Sequence, residues 1–333
     1  MQSMLRTMQR QLTAGEPLVL ATITAATGST PRGAGARMVV GREGLLCGTI
    51  GGGAVEHRAI QIAGEVLAEG SSVTREFTLN HGDVENLGMI CGGAVGVFFH
   101  HIPGGCPETL ALIGETLDRM GLDEELWLLS DLAAGGTLQV FGRSDCPQWL
   151  LPQLVRKVTR IKEEGRDVLV EQIHSPGKVY IFGGGHVAQA LQPLLTQVGF
   201  RCVVVEDRPE FARPELFPTA EQIVLADLTR IGDSISISEA DYVCVMTRGH
   251  AHDTVVQAQV LRCRPCYVGV IGSRAKAAGV RKALIEVHGL TPEETDRITT
   301  PIGLSIGAET PAEIAVSIAA QMISVRANLL KAE

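Results

Sequence analysis

The stretch Lys178-Val-Tyr-Ile-Phe-Gly-Gly-Gly-His-Val-Ala188 constrains the fold more than any other part of the chain. Val179 to Phe182 is a short apolar run that reads as a buried strand. It runs into Gly183-x-Gly185-x-x-Ala188, and a helix-like segment from Val187 to Gln197 follows. A second strand, Arg201 to Val205, ends in Glu206-Asp207, about twenty residues beyond the turn, as the dinucleotide-binding βαβ fingerprint requires. Gly183 permits the tight turn, Gly185 lets a phosphate approach the backbone, and Ala188 allows close helix–strand packing. The helix N-terminus adds free N–H groups and the positive end of a dipole. Either Glu206 or Asp207 can accept hydrogen bonds from a ribose.

The same alternation continues downstream. Strands are expected at Gln222–Leu225, Tyr242–Met246 and Tyr267–Ile271, with helices at Asp253–Leu261 and Arg274–Glu286. Strands alternating with helices mean a parallel, doubly wound sheet. Thr291-Pro-Glu-Glu294 and Thr310-Pro-Ala-Glu313 have capping-box spacing with proline at the first helical position, so both mark helix starts. The last helix, Pro311 to about Leu330, carries Ile314, Ile318, Met322, Val325 and Leu329 on one stripe, read as core or as the surface of a homodimer.

Upstream the pattern changes. Strand-like runs occur at Pro17–Ala26, Ala36–Val40, Leu45–Ile50, Ser72–Leu79 and Ala94–His100, with one helix-like segment, Ala54 to Ala68. Pro103-Gly-Gly-Cys-Pro107 breaks the chain. A helix (Glu108–Met120), two strands (Glu125–Leu129, Thr137–Phe141), a basic helix (Leu151–Glu164) and a last strand (Asp167–Ile173) follow. Ser175-Pro176-Gly177 is the linker. The expected organisation is α/β overall. An N-terminal α+β domain spans residues 1–102, and a middle α+β segment, 103–175, packs with it. The C-terminal Rossmann-like domain, with its doubly wound parallel sheet, spans 176–333.

Composition removes several function classes. Net charge is −8, from 29 basic and 37 acidic residues, so no basic footprint exists for nucleic acid. Aromatics make up 4%, too few for base-stacking platforms. No run is long enough for a membrane span, and the polar, basic start is not a signal peptide. The eight cysteines are scattered, as in a reduced, cytoplasmic protein.

Several loops carry polar chemistry. Thr247-Arg-Gly-His-Ala-His-Asp253 follows a strand, and strand C-termini face the ligand crevice of such sheets. Arg248, His250, His252 and Asp253 thus form a polar edge. A metal there would need a third ligand such as His186, whereas histidines in such loops commonly hydrogen-bond a ligand or cap the helix. Ser273, Arg274 and Lys276, after the next strand, suit an anionic oxygen ligand or simply open a helix. In the first domain, Gly28-Ser-Thr-Pro-Arg-Gly-Ala-Gly35 joins two strands and offers Arg32. Gly48-Thr-Ile-Gly-Gly-Gly53 leads into a helix, and Gly51, Gly52 and Gly53 are read as an anion nest or as plain hairpin glycines. Met89-Ile-Cys-Gly-Gly93 sets Cys91 beside flexible glycines, as a reactive thiolate or a small buried hydrophobe. Cys263-Arg-Pro-Cys266 ends a helix rather than opening one, which argues against a thioredoxin-like role.

Together these strings resemble the XdhC/CoxI family of xanthine dehydrogenase accessory proteins. The resemblance rests on Ala21–Thr24 with Gly28–Met38, Gly48–Gly53, Met89–Gly93, Gly183–Ala188, Glu206–Pro209, Thr247–Asp253, Ile271–Lys276 and Pro301–Pro311, and it constrains the middle segment little. It implies a chaperone rather than an enzyme. Such a protein binds molybdenum cofactor in its molybdopterin form, protects or assists its sulfuration and delivers it to a molybdenum hydroxylase such as xanthine dehydrogenase. A cysteine desulfurase supplies the sulfur. On this resemblance Cys91 contacts molybdenum or its sulfur, and the glycine turn grips the phosphate end of the pterin. Two alternatives stay open. One is an NAD(P)-dependent oxidoreductase, although no Tyr-x-x-x-Lys pair is apparent; the other is a transferase that uses another nucleotide and acts on the cofactor.

Overall fold

The computed structural model describes residues 1–78, 93–133, 136–163, 165–248 and 250–329, with the backbone alone at 250, 251 and 274. The chain divides into two compact units, Met1–Ser175 and Pro176–Glu333.

The first unit begins with α1 (Gln2–Thr13), which the polar start of the sequence concealed; its Met8 and Leu12 are buried. Strands β1 (Leu18–Thr27), β2 (Arg37–Gly41) and β3 (Gly44–Gly48) follow, then α2 (Gly53–Glu69), β4 (Val73–Thr78) and β5 (Ala94–Ile102). They form an antiparallel sheet in the order β3-β2-β1-β5-β4. β1 is buried on both faces because successive side chains point opposite ways. Val19, Ala21 and Ile23 pack with α2, and Leu18 and Leu20 pack with α1 and with α3 (Pro107–Gly121).

A second antiparallel sheet, β7-β6-β9-β8, is made of β6 (Leu126–Asp131), β7 (Leu138–Phe141), β8 (Thr159–Glu163) and β9 (Arg166–His174). The basic helix expected over Leu151–Glu164 does not exist. Leu151–Gln153 is one turn of 3-10 helix, and β8 pairs with β9. The segment is rich in β-branched residues, and Ile161 is buried while Lys162 and Glu163 are exposed. Arg160 pairs with Asp167 across the hairpin through two 2.7 Å hydrogen bonds. Cross-strand pairing outweighs a charge pattern that looked helical. Phe98, Leu132 and Leu169 join the two sheets.

The second unit is the fold the glycine turn announced. Its strands are β10 (Val179–Phe182), β11 (Cys202–Glu206), β12 (Gln222–Leu225), β13 (Tyr242–Val245), β14 (Tyr267–Val270) and a two-residue β15 (Ile298–Thr299) that was not anticipated. All pair in parallel, in the order β12-β11-β10-β13-β14-β15. Numbered within the unit this is 3-2-1-4-5-6, the Rossmann order, with its switch point between β10 and β13. On one face Ile181, Val204 and Cys244 meet α4 (His186–Gln197) and α8 (Pro311–Leu329). The α8 stripe is core: Ile318 and Met322 are fully buried, and Ile314, Val325 and Leu329 pack against the same cluster. On the other face Phe182, Val205 and Val245 meet α5 (His250–Cys263) and α6 (Arg274–Glu286). The short α7 (Pro292–Asp296) starts with the capping box predicted at Thr291. Among the described residues, no helix is long and apolar enough to cross a membrane.

Candidate functional site

The site is built where β10 ends. Gly183 has φ +103°, and a Cβ there would stand 2.5 Å from the Met246 carbonyl oxygen and 2.9 Å from Thr247 Cα. Only glycine suits both the dihedral and the space. Its amide donates to Val205 O at 2.9 Å. The turn is thereby wedged between the ends of β11 and β13. Gly184 is also crowded, by Phe211 and Glu206. Gly185 differs: nothing lies within 4 Å of a Cβ built on it, and it precedes an α4 N-terminus that no side chain caps. Open space beside uncapped helix amides is the geometry an anion needs. His186 is exposed at that end, and Ala188 is fully buried beneath it.

The two acids at the end of β11 have separate roles. Glu206 is 1% exposed and turned inward. It accepts hydrogen bonds from the amides of Gly184 (2.5 Å), Asp207 and Arg208 (both 3.1 Å) and from the Arg208 guanidinium (2.9 and 3.0 Å). Burial alone would push its carboxyl up, but the donors from Arg208 and the backbone outweigh burial and hold it at about 2. Asp207 faces outward, and its carboxyl is raised, chiefly by its hydrogen-bonded neighbour Glu206. Its Oδ2 lies 3.5 Å from His252 Nδ1 on α5. β10 lies between β11 and β13, so this contact reaches across the strand whose end carries the glycine turn.

The loop after β13 contributes Thr247, which donates to Asp253 at 2.5 Å, and Arg248, which is exposed. The side chains of His250 and Arg274 fall outside the described residues. Ser273 caps α6 by accepting from the Lys276 amide at 3.4 Å. Beside Thr247 and Asp253, a cavity of about 710 Å³ opens between α5 and α6.

In the first unit the glycine nest is already filled. Glu56 accepts from the amides of Ile50 (3.1 Å) and Gly52 (3.2 Å) and from the Thr49 hydroxyl. Burial raises its carboxyl, but the Thr49 and backbone donors lower it more. Gly51 has φ +133° and packs on Pro31; Gly52 and Gly53 also have positive φ. Arg32 is exposed and lines an open pocket of about 370 Å³ with Arg37. Arg37 was missed from the sequence, although a charged residue opening an apolar strand was a signal. It is buried and paired with Glu171 at 2.5 Å, and among the described residues its Nε and Nη2 have no hydrogen-bond partner. Cys91 lies outside the described residues. Among the described residues, no three of His, Cys, Asp and Glu group closely enough to hold a metal ion.

Comparison with known proteins adds family evidence. The family model described as "XdhC Rossmann domain" matches residues 179–322, and that described as "XdhC and CoxI family" matches residues 11–78. A Bacillus subtilis (strain 168) protein named as a probable xanthine dehydrogenase subunit is 26% identical over 318 residues, covering 93% of this chain and 94% of its own. An Escherichia coli (strain K12) protein named molybdenum cofactor insertion chaperone PaoD is 25% identical over 328 residues, with 97% and 88% covered. A crystal structure described as a xanthine dehydrogenase from Bacillus halodurans superposes with a TM-score of 0.79. It covers 96% of this chain and 95% of that one at 24% identity, a likeness of fold.

Proposed function

Because the chain belongs to the XdhC and CoxI family, we propose that it is an accessory protein that holds molybdenum cofactor and passes it to a molybdenum hydroxylase of the xanthine dehydrogenase type. The observation that carries this reading is the open, uncapped helix start at Gly185, at the switch point of a 3-2-1-4-5-6 sheet. The phosphate of molybdopterin accepts from the α4 amides there, with His186, Arg248 and His252 around it. Asp207 meets polar groups of the pterin from across the turn. By its motif Cys91 is the contact for molybdenum or its sulfur, and a cysteine desulfurase is the source of that sulfur. Arg32, exposed beside an open pocket, offers a second anion contact in the N-terminal unit. The protein works in the cytoplasm, as a homodimer. These roles are the positions' chemistry read through the names of the relatives.

The runner-up is an NAD(P)-dependent oxidoreductase, favoured by the strand order alone. It needs a strand-end acid that is free to bind ribose; Glu206 is committed to five internal donors, which leaves Asp207, 3.5 Å from His252, as the acid for that role. Titration of the apo-protein with molybdopterin and with NADH separates the two readings. Molybdopterin should bind and NADH should not; tight NADH binding without pterin binding reverses the choice. Gly185→Val should abolish pterin binding, because its side chain fills the phosphate space. Cys91→Ala should weaken retention of the sulfurated cofactor without lowering the melting temperature, and unchanged retention would remove the thiol from the scheme.

A further inference from the structure

The cavity between α5 and α6 holds an unsatisfied demand. Gln257, on α5, is 2% exposed and lines the cavity, and among the described residues its side-chain nitrogen has no hydrogen-bond partner. Two residues on, Gln259 makes full use of the same group. Its nitrogen donates to Leu228 O and Val255 O, and its oxygen accepts from the Ile231 amide. The helix can therefore satisfy a buried amide, and at Gln257 it does not. A buried donor without an acceptor destabilises the fold unless something else supplies one.

The rest of the lining says what that something is. Val270, Val280, Leu284 and Ile298 give an apolar wall. Arg281 also lines the cavity but is tied to Asp296 at 2.5 Å. Lys276, in the first turn of α6, lines it too, and its ammonium has no partner among the described residues. The occupant must carry an apolar ring-sized body, an acceptor deep enough to reach Gln257, and a separate anionic end for Lys276. A fatty acid has only one polar end and fails. A nucleoside monophosphate has all three parts, and about 710 Å³ lies within the size range of small-molecule sites. The place also fits, because β13, β14 and β15 with their helices are the second mononucleotide-sized half of a Rossmann sheet.

We infer that the α5–α6 cavity binds a nucleoside monophosphate moiety, its base against Gln257 and its phosphate at Lys276. This goes beyond the cofactor-carrier reading and does not depend on it.

Calorimetric titration of the full chain with GMP, AMP and CMP tests the site, with inorganic phosphate as control and Gln257→Leu and Lys276→Gln as variants. At least one nucleotide should bind with a stoichiometry of one and far more tightly than phosphate, and each variant should weaken it tenfold or more. Without ligand, Gln257→Leu should melt above the wild type, because the orphan donor is gone, while Lys276→Gln should melt with it. The site is overturned if none of the three nucleotides saturates, if phosphate binds as well as they do, or if Gln257→Leu leaves binding unchanged. A lower melting temperature for Gln257→Leu would also overturn it, since Gln257 would then be structural. Gly185→Val should keep nucleotide binding at this cavity. A wild-type chain that binds a nucleotide but no molybdopterin therefore refutes the carrier reading alone.

Discussion

Glu206 shapes the glycine turn from beneath, through its bond to the Gly184 amide. Its depressed carboxyl also ties the turn to pH. The folded value is about 2 against an ordinary 4.5, so its stabilisation is complete above about 4.5 and is lost as pH falls toward 2. Glu206→Gln should lower the melting temperature at pH 7, by roughly 2–4 kcal/mol of stability, because amide N–H groups would oppose donors already present. It should also flatten the acid dependence between 4.5 and 2; a melting curve series identical to wild type contradicts the clamp. His100 acts in the other unit and a higher window. Burial lowers its imidazole to about 4 from 6.5, so its contribution is full above 6.5 and lost as pH falls through 4. His100→Gln should remove that part of the pH profile and leave the lower part in place. Gly183→Ala should be among the most damaging single changes, at roughly 2 kcal/mol or more, since positive φ and backbone contact both oppose a side chain.

Individual elements were legible where a local rule had no competitor. The start of α8 was: Thr310 and Glu313 exchange hydrogen bonds, the Thr310 amide donating to Glu313 at 3.0 Å and the Glu313 amide to Thr310 at 3.3 Å. Thr310→Ala should cost about 1 kcal/mol, seen as a melting shift of about 2–4 °C. β8 was not legible, because its decisive contact is Arg160 with Asp167 across a hairpin, and charge spacing along one strand does not reveal a partner on another. α1 was hidden for a similar reason: Met8 and Leu12 are too few apolar anchors to declare a helix, and its burial depends on β1 and α3. The glycine motifs were legible as turns, but not as turns whose amides Glu56 and Glu206 already occupy. A sequence shows a nest and an acid separately; the filling of one by the other is a fact of packing.

At the scale of the whole molecule, each unit buries its own core: two clusters on the faces of the parallel sheet, four in the antiparallel unit. A fragment of residues 176–333 should therefore unfold cooperatively on its own in denaturant, with the protection pattern of a six-stranded parallel sheet in hydrogen exchange. A gradual, non-cooperative transition would mean that the sheet is not self-sufficient. The alternation of strands and helices gave this unit away, whereas Gln257 passed unnoticed, since one glutamine in an apolar helix looks like any other until its nitrogen is found without an acceptor. The contact of Asp207 with His252 bears on traffic through the turn. Both side chains are partly exposed, at 31% and 44%, and a pair of this kind is worth on the order of 0–1 kcal/mol. It opens and recloses on thermal energy. The glycine turn is thus flanked by two side chains that part at little cost to the fold.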